Sequence, residues 1–401
     1  NNFKHITLMI VRIIYFLIPL ILLPDAIVYA AFCHKRTHAK PWLRLLWWLP
    51  STAMVVFSIV LALQKQFAPD NSCWIKLFIF AFVLCVIPKM MFAIAVLITR
   101  RWGKQSLKFR RSIYAIATLV SVLILCTTLH GVLVGPKELR VTRLSLTFKT
   151  LPKAFDGLKI VLFSDAHVGT FNHGWEQFLA RDIDTILAQR PDMICFVGDL
   201  QNTNPSELQP LIPLLARLAK QGIPVYSVLG NHDYSGYYYG TAAEKQKIEA
   251  QMIATQKEMG WQLLRNEHRF FYSSHHKDSI AIVGEEYCGV GLHSFDKSNI
   301  RRATAGIDAN TFTLLLQHDP KTWRTRILPE SHAQLTLAGH THGGQVSIFG
   351  LRTTLLTYTD DYGLAESHGR YLYVTCGIGG LIPLRIGVEP EIAVITLHAQ
   401  Q

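Results

Sequence analysis

Four long apolar stretches occupy the first third of the chain. They run over about Ile6–Phe32, Leu45–Leu63, Trp74–Ile98 and Ile113–Val134. Each has about the 20 residues that a helix needs to cross the apolar core of a bilayer. The helices of a soluble four-helix bundle would carry polar stripes, and the run Ala53–Leu63 has none. The pattern therefore predicts four membrane-spanning helices, the first of them retained as a span and not cleaved as a signal peptide.

After Gly135 the pattern changes to short β-like runs that alternate with helical spacing. Strands are predicted at Leu158–Ser164, Met193–Val197, Val225–Leu229, Arg269–Tyr272, Ser279–Val283, Thr311–Gln317, Gln334–Ala338, Gly369–Thr375 and Glu391–Leu397. Helices are predicted at Gly174–Gln189, Glu207–Lys220 and Ala242–Met259. Strand–helix alternation followed by further strands indicates a layered α/β domain with two packed sheets. We expect a transmembrane domain over residues 1–134, a linker and first strand over 135–150, and a second domain over 151–401.

Charge is distributed unevenly between these two parts. The 401-residue chain has a formal net charge of +12, of which residues 1–134 contribute +13 and residues 135–401 contribute −1. A protein that follows a nucleic-acid backbone needs concentrated positive charge on its binding surface. The near-neutral second domain therefore argues against a nucleic-acid partner.

The basic residues of the first part lie mainly in two loops and indicate a membrane orientation. The first loop carries Lys35, Arg36, Lys40 and Arg44, and the third carries Arg100, Arg101, Lys104, Lys108, Arg110 and Arg111. The second loop has only Lys65 and Asp70. By the positive-inside rule, the first and third loops are cytoplasmic, so both termini and everything after Val134 lie outside. Within the third span, we expect Lys89 to snorkel towards a span end or a kink.

Five short motifs place ligand-type side chains where predicted strands end. They are Ser164–His167, Gly198-Asp199, Gly230–Asp233, Gln317–Asp319 and Gly339–Gly344. Open α/β sheets bind ligands at the carboxyl ends of their strands, so these motifs should converge on one edge. Carboxylates, imidazoles and one amide, without thiolates, suit manganese, iron, zinc or magnesium. Two such ions ~3.5–4 Å apart can clamp a phosphoryl group.

The order D-x-H, G-D, G-N-H-D, H and G-H-T-H resembles the calcineurin-like metallophosphoesterase superfamily. The run Gly339–Gln345 (GHTHGGQ), with Thr375–Arg385 and Pro390–Ile392, resembles its bacterial subfamily with membrane-attached, phosphodiesterase-like members. The resemblance covers about residues 141–397. It implies an α/β metallophosphoesterase domain of four layers, α/β/β/α. It also implies a phosphoric ester hydrolase with two divalent metal ions, manganese first among the candidates. The N-terminal four-helix transmembrane region that precedes this domain lies outside the resemblance and is predicted from hydropathy alone.

The resemblance also implies a role for each motif residue. One ion would be held by Asp165, His167, Asp199 and His342, and the other by Asp199, Asn231, His318 and His340. His232 would protonate the leaving oxygen or stabilise phosphoryl charge, and Asp233 would orient it. A hydroxide bridging the ions would attack phosphorus in line. Outside this set, Arg352 and Arg385 are candidates to bind a second anionic group of the substrate.

The number of spans bears on the substrate, because one helix would be enough for tethering. We therefore expect a membrane lipid phosphate, lipid pyrophosphate or lipid-linked phosphodiester, cleaved on the outer side of a bacterial inner membrane. Two alternatives stay open. One is hydrolysis of soluble phosphoesters such as nucleotides outside the cell, and the other is a membrane transporter or sensor with a regulatory phosphoesterase domain.

Overall fold

The chain divides into two compact units that meet in sequence at Val134 and Gly135. The computed structural model describes residues 2–34, 40–63, 73–102, 106–172, 174–273, 277–289 and 295–400. Five of the loop residues used for the orientation lie outside these ranges: Lys35, Arg36, Lys65, Asp70 and Lys104.

The N-terminal unit is helical and has four segments that are long and apolar enough to cross a membrane. Its helices are α1 (Asn2–Val28, continued by a π-helical turn over Tyr29–Cys33), α2 (Pro41–Ala62), α3 (Cys73–Cys85), α4 (Ile87–Trp102) and α5 (Leu107–Leu133). The third span consists of α3 and α4, which are separated at Val86. Pro88 has no backbone N–H and cannot donate the hydrogen bond that would continue the helix, which explains the break. The prediction of four membrane-spanning helices is confirmed.

The C-terminal unit contains two six-stranded mixed sheets and a two-stranded hairpin. The strands are β1 (Arg140–Phe148), β2 (Leu158–Phe163), β3 (Met193–Phe196), β4 (Val225–Ser227), β5 (Gln262–Leu263), β6 (Glu267–Tyr272), β7 (Ser279–Gly284), β8 (Thr313–Leu316), β9 (Leu335–Ala338), β10 (Ser347–Ile348), β11 (Leu351–Arg352), β12 (Gly363–Ser367), β13 (Arg370–Val374) and β14 (Glu391–Ala399). The first sheet has the order β1-β14-β2-β3-β4-β5, and the second has the order β12-β13-β9-β8-β7-β6. The hairpin is β10–β11.

Helices cover the outer faces of the two large sheets. They are α6 (Glu176–Ala188), α7 (Ile212–Leu215), α8 (Arg217–Lys220), α9 (Ala242–Glu258), α10 (Ile300–Ala303) and α11 (Leu328–Glu330). Alternate residues of a strand point to opposite faces, so each central strand supplies two cores. Leu162 and Leu314 pack between the sheets, whereas Phe163 packs under the helices of the first sheet. Leu315 packs with Trp323 on the far face of the second sheet. The expected four-layer α/β/β/α architecture is confirmed.

The helix predicted over Glu207–Lys220 is broken into shorter pieces. A 3₁₀ turn covers Pro205–Leu208, and α7 and α8 follow as separate single turns. Pro213 accounts for part of the break, because it is tolerated only in the first turn of a helix, where it lies in α7. The Glu207 side chain turns back onto the preceding loop and does not support a continuous helix.

A polar cluster lies near the middle of the membrane-spanning helices of the N-terminal unit. The Lys89 ammonium on α4 lies 2.8 Å from a carboxylate oxygen of Asp25 on α1. It also donates to the hydroxyl of Ser51 on α2 at 2.8 Å, and it lies 5.1 Å from the ring centroid of Trp47. The Asp25 side chain is fully buried. Lys89 therefore does not extend towards a span end as expected, because its ammonium pairs with Asp25 on a neighbouring helix.

Removing one member of this pair should destabilise the N-terminal unit more than removing both. We expect Lys89→Met to cost about 3–5 kcal/mol, because it leaves the Asp25 carboxylate buried without a cation. The double variant Asp25→Leu with Lys89→Met should recover most of that loss, since buried ion pairs are replaceable by apolar side chains. Thermal unfolding of the purified chain in detergent, followed by helical circular dichroism, measures both. The exposed Lys108 provides the control Lys108→Met, and a double variant no more stable than Lys89→Met would contradict the ion-pair interpretation.

Candidate metal centre

The ligand-type residues follow strands whose carboxyl ends meet at one edge of the two sheets. In the first sheet, β2, β3 and β4 are parallel neighbours, and in the second sheet β8 and β9 are parallel neighbours. The motif residues come directly after these five strands, at Asp165, Asp199, Asn231, His318 and His340. The sheet topology therefore brings together residues that are far apart in sequence.

Asp199 lies at the centre of the cluster. Its Oδ2 is 3.7 Å from Nε2 of His167 and 3.1 Å from Nε2 of His318. Among the residues that the structure describes, three sets of side chains have ligand atoms that lie within 4.8 Å of one another inside the set, and Asp199 belongs to two of these sets. The sets are Asp165, His167 and His342; His167, Asp199 and His232; and Asp199, His318 and His340. One carboxylate thus contacts two neighbouring groups of candidate ligands.

The remaining predicted ligands lie around this carboxylate. Nε2 of His342 is 3.5 Å from Oδ1 of Asp165. Nε2 of His318 lies 3.1 Å from the Asn231 side-chain oxygen and 3.1 Å from Nδ1 of His340. All seven residues predicted as metal ligands are therefore brought together in the fold. Their assignment as ligands stays a prediction.

The donor set fits divalent cations on an observation independent of the motif. Nε2 of His167 and Nδ1 of His342 are buried, with no hydrogen-bond partner among the described residues. A buried polar atom without a partner is costly, and a cation bound to its lone pair would satisfy it. The carboxylate, amide and imidazole donors suit borderline to hard cations.

Burial controls the electrostatics of these imidazoles. It lowers the pKa of His167 to about 3, aided by the neighbouring His232, and it lowers the pKa of His340 to about 4. These two rings are therefore neutral at ordinary pH, which is the form that binds metals. Burial opposes the charged form of His318 as well, but the Asp199 carboxylate raises its pKa to about 10. Although burial disfavours its charge too, Asp199 has a pKa well below its usual range because His318 and His232 stabilise the carboxylate.

The backbone at the site is held in an uncommon conformation. Left-handed φ angles occur at Asp165 (49°), His167 (43°), Asp199 (61°), His340 (72°) and His342 (52°). Such a conformation costs of order 1–3 kcal/mol at a residue other than glycine, and it tends to occur at functional sites. It turns each side chain inward directly after its strand or turn.

The turns are held by backbone contacts close to the site. The amide of Asp165 donates to the carbonyl of Gly198 at 2.8 Å, and that of His167 donates to the carbonyl of Asp199 at 3.1 Å. Gly198 has a φ of +97°, and a Cβ there would lie 2.7 Å from Nδ1 of His318. Only glycine allows the imidazole to approach the backbone so closely.

His232 lies at the site, but the contact that orients it differs from the expectation. Its Nδ1 lies 2.6 Å from the backbone carbonyl of Asn202. A carbonyl only accepts, so Nδ1 donates and Nε2 is the ring atom left to exchange a proton. The Asp233 carboxylate instead accepts the amides of Asp199 and Gly230 at 2.9 Å and that of Leu200 at 2.9 Å. Asp233 thus ties two ligand-bearing turns together, and the expectation that it orients His232 directly is not met.

Two further residues belong to the site. The Asn202 side-chain oxygen lies 3.2 Å from Nδ1 of His167, and the ring of Tyr237 stacks on His232 with centroids 4.2 Å apart. The Tyr237 hydroxyl accepts from the Asn231 amide at 3.0 Å. Tyr237 lies in the sequence YSGYYY directly after the G-N-H-D motif, and that aromatic run is the signal in the sequence. No pattern in the sequence indicates Asn202, because it contacts His232 through its backbone carbonyl.

The two arginines predicted to bind substrate have partners within the chain. Arg352 makes two hydrogen bonds to the Asp361 carboxylate, at 2.7 and 2.9 Å. Arg385 is 3% exposed and donates to the carbonyls of Cys376 at 2.8 Å and His342 at 3.2 Å. These contacts account for both cations, and their substrate-binding role stays a prediction.

Comparisons with known proteins agree with both units. Residues 158–344 match the family of calcineurin-like phosphoesterases. Residues 11–136 match a family described as the transmembrane domain of a probable calcineurin-like phosphoesterase.

Three relatives extend this similarity. The uncharacterized metallophosphoesterase YkuE of Bacillus subtilis is 30% identical over 66% of this chain and 87% of its own length. An uncharacterized metallophosphoesterase of Aquifex aeolicus is 27% identical over 65% of this chain and 93% of its own. A bovine (Bos taurus) transmembrane protein with metallophosphoesterase domain is 27% identical over 71% of this chain and 62% of its own.

The order of the strands, the cluster of Asp and His side chains, the four apolar helices and these similarities lead to one assignment. The chain belongs to the calcineurin-like metallophosphoesterase family and is a metal-dependent phosphoric ester hydrolase that is integral to a membrane.

Proposed function

We propose that this enzyme uses two divalent metal ions to hydrolyse a lipid phosphate, a lipid pyrophosphate or a lipid-linked phosphodiester. The observation that carries the dinuclear part is the position of Asp199, whose carboxylate belongs to two of the ligand groups. A carboxylate has two oxygens, so it can bind one cation with each.

We assign the ligands as two sets that share Asp199. The first set adds Asp165, His167 and His342, and the second adds Asn231, His318 and His340. The two ions, when bound, would neutralise phosphoryl charge and lower the pKa of the attacking water. Manganese is our first choice, with iron, zinc and magnesium as alternatives, since the donors are oxygen and nitrogen atoms.

His232 supplies the proton for the leaving oxygen in this proposal. Its Nδ1 is fixed as a donor by the Asn202 carbonyl, and Tyr237 stacks on the ring. These two contacts hold Nε2 in one direction, as general acid–base catalysis requires. Asp233 acts through the backbone and positions Asp199, Leu200 and Gly230.

An apolar cleft beside the metal centre supports a lipid as the substrate. Its lining includes Phe171, Trp175, Ile378, Ile382 and Pro383. The backbone next to Ile378 contacts the turn of the ligand Asp165, because Gly379 donates to the Asp165 carbonyl at 3.0 Å. The cleft has a volume of only about 20 Å³ and is also lined by Thr170, Gln345 and Arg385. It therefore offers an apolar contact to the part of the substrate next to the phosphate and not a site for a whole acyl chain.

The basic loops support an extracytoplasmic position for the catalytic unit. Among the described residues, Lys40 and Arg44 follow the first span, and Arg100, Arg101 and Lys108 flank the connection after the third. With four spans, we infer from the positive-inside rule that the start of the sequence and the residues after Val134 lie on the outer side of the membrane. We assign that membrane as a bacterial inner membrane.

Variants at the centre should separate metal binding from proton transfer. Asp199→Ala should lose bound metal and reduce hydrolysis by at least about 100-fold, because a ligand shared by two cations is removed. His232→Gln should keep its metal and lower kcat by about 10²–10⁴-fold, the usual contribution of a general acid. Metal content by plasma mass spectrometry and hydrolysis of bis(p-nitrophenyl) phosphate measure the two effects.

The exposed His332 gives the matched control His332→Gln, which should change neither property. If hydrolysis survives both Asp199→Ala and His232→Gln, the proposed mechanism is wrong. If His232→Gln loses metal in parallel with activity, His232 is a ligand and the assignment of the acid fails.

Rates on matched substrates should identify the substrate class. We expect the purified enzyme in lipid nanodiscs to cleave long-chain lipid phosphoesters at least about tenfold faster than soluble phosphoesters with the same reacting group, because remote binding energy can be used for catalysis. Phosphate release measures both rates under identical metal conditions. Equal rates, or faster cleavage of nucleotides, would contradict the lipid assignment and favour the scavenging alternative. Very slow hydrolysis of both classes by metal-loaded enzyme would favour a regulatory domain.

A reporter at the end of the chain should test the orientation. Green fluorescent protein fused after Gln401 and exported through the general secretory pathway should stay dark, whereas alkaline phosphatase at the same position should be active. The same pair fused after Arg111, in the first turns of α5 next to the third loop, should give the reverse result. A fluorescent fusion after Gln401 would overturn the orientation.

A further inference from the structure

An exposed apolar segment follows the histidine motif of the metal centre. Strands β10 and β11, each of two residues, form a hairpin, and a 3₁₀ turn over Thr353–Leu356 follows it. We call residues Ser347–Leu356 the apolar hairpin. Five of its large side chains are exposed: Ile348, Phe349, Leu351, Leu355 and Leu356. Contiguous exposed apolar surface of this kind marks an interaction site more often than a solvated loop.

The tip of this hairpin is unusual for a turn in water. Phe349 and Gly350 form the turn with φ angles of 52° and 80°. Asparagine or aspartate followed by glycine is the common choice for such a turn, and a bulky residue at positive φ is disfavoured. The Phe349 side chain is 102% exposed and that of Leu356 is 89% exposed. Because the Phe349 ring is fully exposed, it contributes no buried apolar area to the stability of the folded unit.

The hairpin carries little charge to oppose transfer into an apolar medium. Arg352 is the only charged residue in Ser347–Leu356, and Asp361 binds its guanidinium through two hydrogen bonds at 2.7 and 2.9 Å. Thr354 donates to the same carboxylate at 2.7 Å. Since these polar groups are paired at the base of the hairpin, its outer part exposes mainly hydrocarbon.

The base of the hairpin lies next to the start of the first strand in this unit. The guanidinium groups of Arg140 and Arg352 each lie 5.6 Å from the ring centroid of Tyr362. Arg140 is the first residue of β1. The chain reaches it from the last membrane span through residues 134–139, a connection whose extended length is about 20 Å. Within this unit, the base of the hairpin therefore lies close to the residue with which β1 begins.

We propose that the apolar hairpin is a bilayer-docking element. It inserts Ile348, Phe349, Leu351 and Leu356 into the interfacial layer of the membrane that the four spans cross, in the manner of other peripheral apolar segments. The following chain carries Tyr358, whose ring centroid is 6.1 Å from that of His340, so docking would also fix the height of the metal centre above the lipid. This inference depends on the membrane attachment of the enzyme and not on the identity of its substrate.

A photoreactive side chain at the tip tests the docking directly. The full chain with p-benzoylphenylalanine in place of Phe349 is reconstituted in dioleoylphosphatidylcholine nanodiscs that contain phosphatidylcholine with alkyne-tagged acyl chains, and is then irradiated. The matched control carries the same residue in place of Tyr272, an aromatic residue that is 53% exposed. Tyr272 ends the edge strand β6 and pairs with Ser279 at the start of β7, away from the carboxyl ends that carry the centre. We expect about tenfold more tagged lipid on the protein from position 349 than from position 272, because only an inserted side chain meets acyl groups continuously.

Each outcome decides the proposal, provided that both variants retain the melting temperature of the parent chain. Lipid adducts from position 349 well above those from position 272 support it. Equal or absent lipid adducts overturn it. A covalent dimer formed from position 349 also overturns it, since a second copy of the chain would then cover the hairpin. No hydrolysis is measured, so failure here and failure of the proposed substrate class are distinguishable.

Discussion

The buried carboxylate of Asp199 is the constraint on which the catalytic unit depends. Removing an ionised carboxylate from water costs several kcal/mol unless nearby groups compensate for it. Here the compensation comes from both sheets, because His167 follows β2 in the first sheet and His318 follows β8 in the second. The two sheets must therefore pack with these strand ends opposed. The apolar core between them, which includes Leu162 and Leu314, fixes that alignment.

The same constraint explains why strain and hydrogen bonds occur together at this edge. The ligand-bearing turns use left-handed backbone angles that other sequences avoid. Asp233 offsets part of this cost, because its carboxylate accepts amides from the Asp199 and the Gly230 turns. Its pKa is raised to about 7 by burial and by the Asp199 charge, while the amides it accepts work in the opposite direction. Asp233 thus holds together the turns that carry the proposed ligands Asp199 and Asn231.

The sequence predicts those parts of this protein that depend on side-chain pattern. Hydropathy indicates the spans, strand periodicity indicates the layers, and the spacing of Asp and His residues indicates the cluster, because each leaves a repeated or chemically distinctive signature. Contacts that use the backbone leave none, and so the Asn202 carbonyl behind His232 was not predicted. The partner of Lys89 was missed for a related reason. Hydropathy treats each helix alone, whereas the pair with Asp25 exists only because α1 and α4 pack together.

The distribution of cations in the catalytic unit has a consequence for selectivity. Several arginines of this unit are paired with carboxylates, as Arg324 is with Asp360 and Arg265 is with Glu286. With a net charge of −1 over residues 135–401, the unit exerts little long-range attraction on an anion. Recognition of the phosphate must then be local to the metal centre. Discrimination between phosphoesters then depends on contacts with the rest of the substrate, and in the proposed function the apolar cleft that includes Trp175 supplies them.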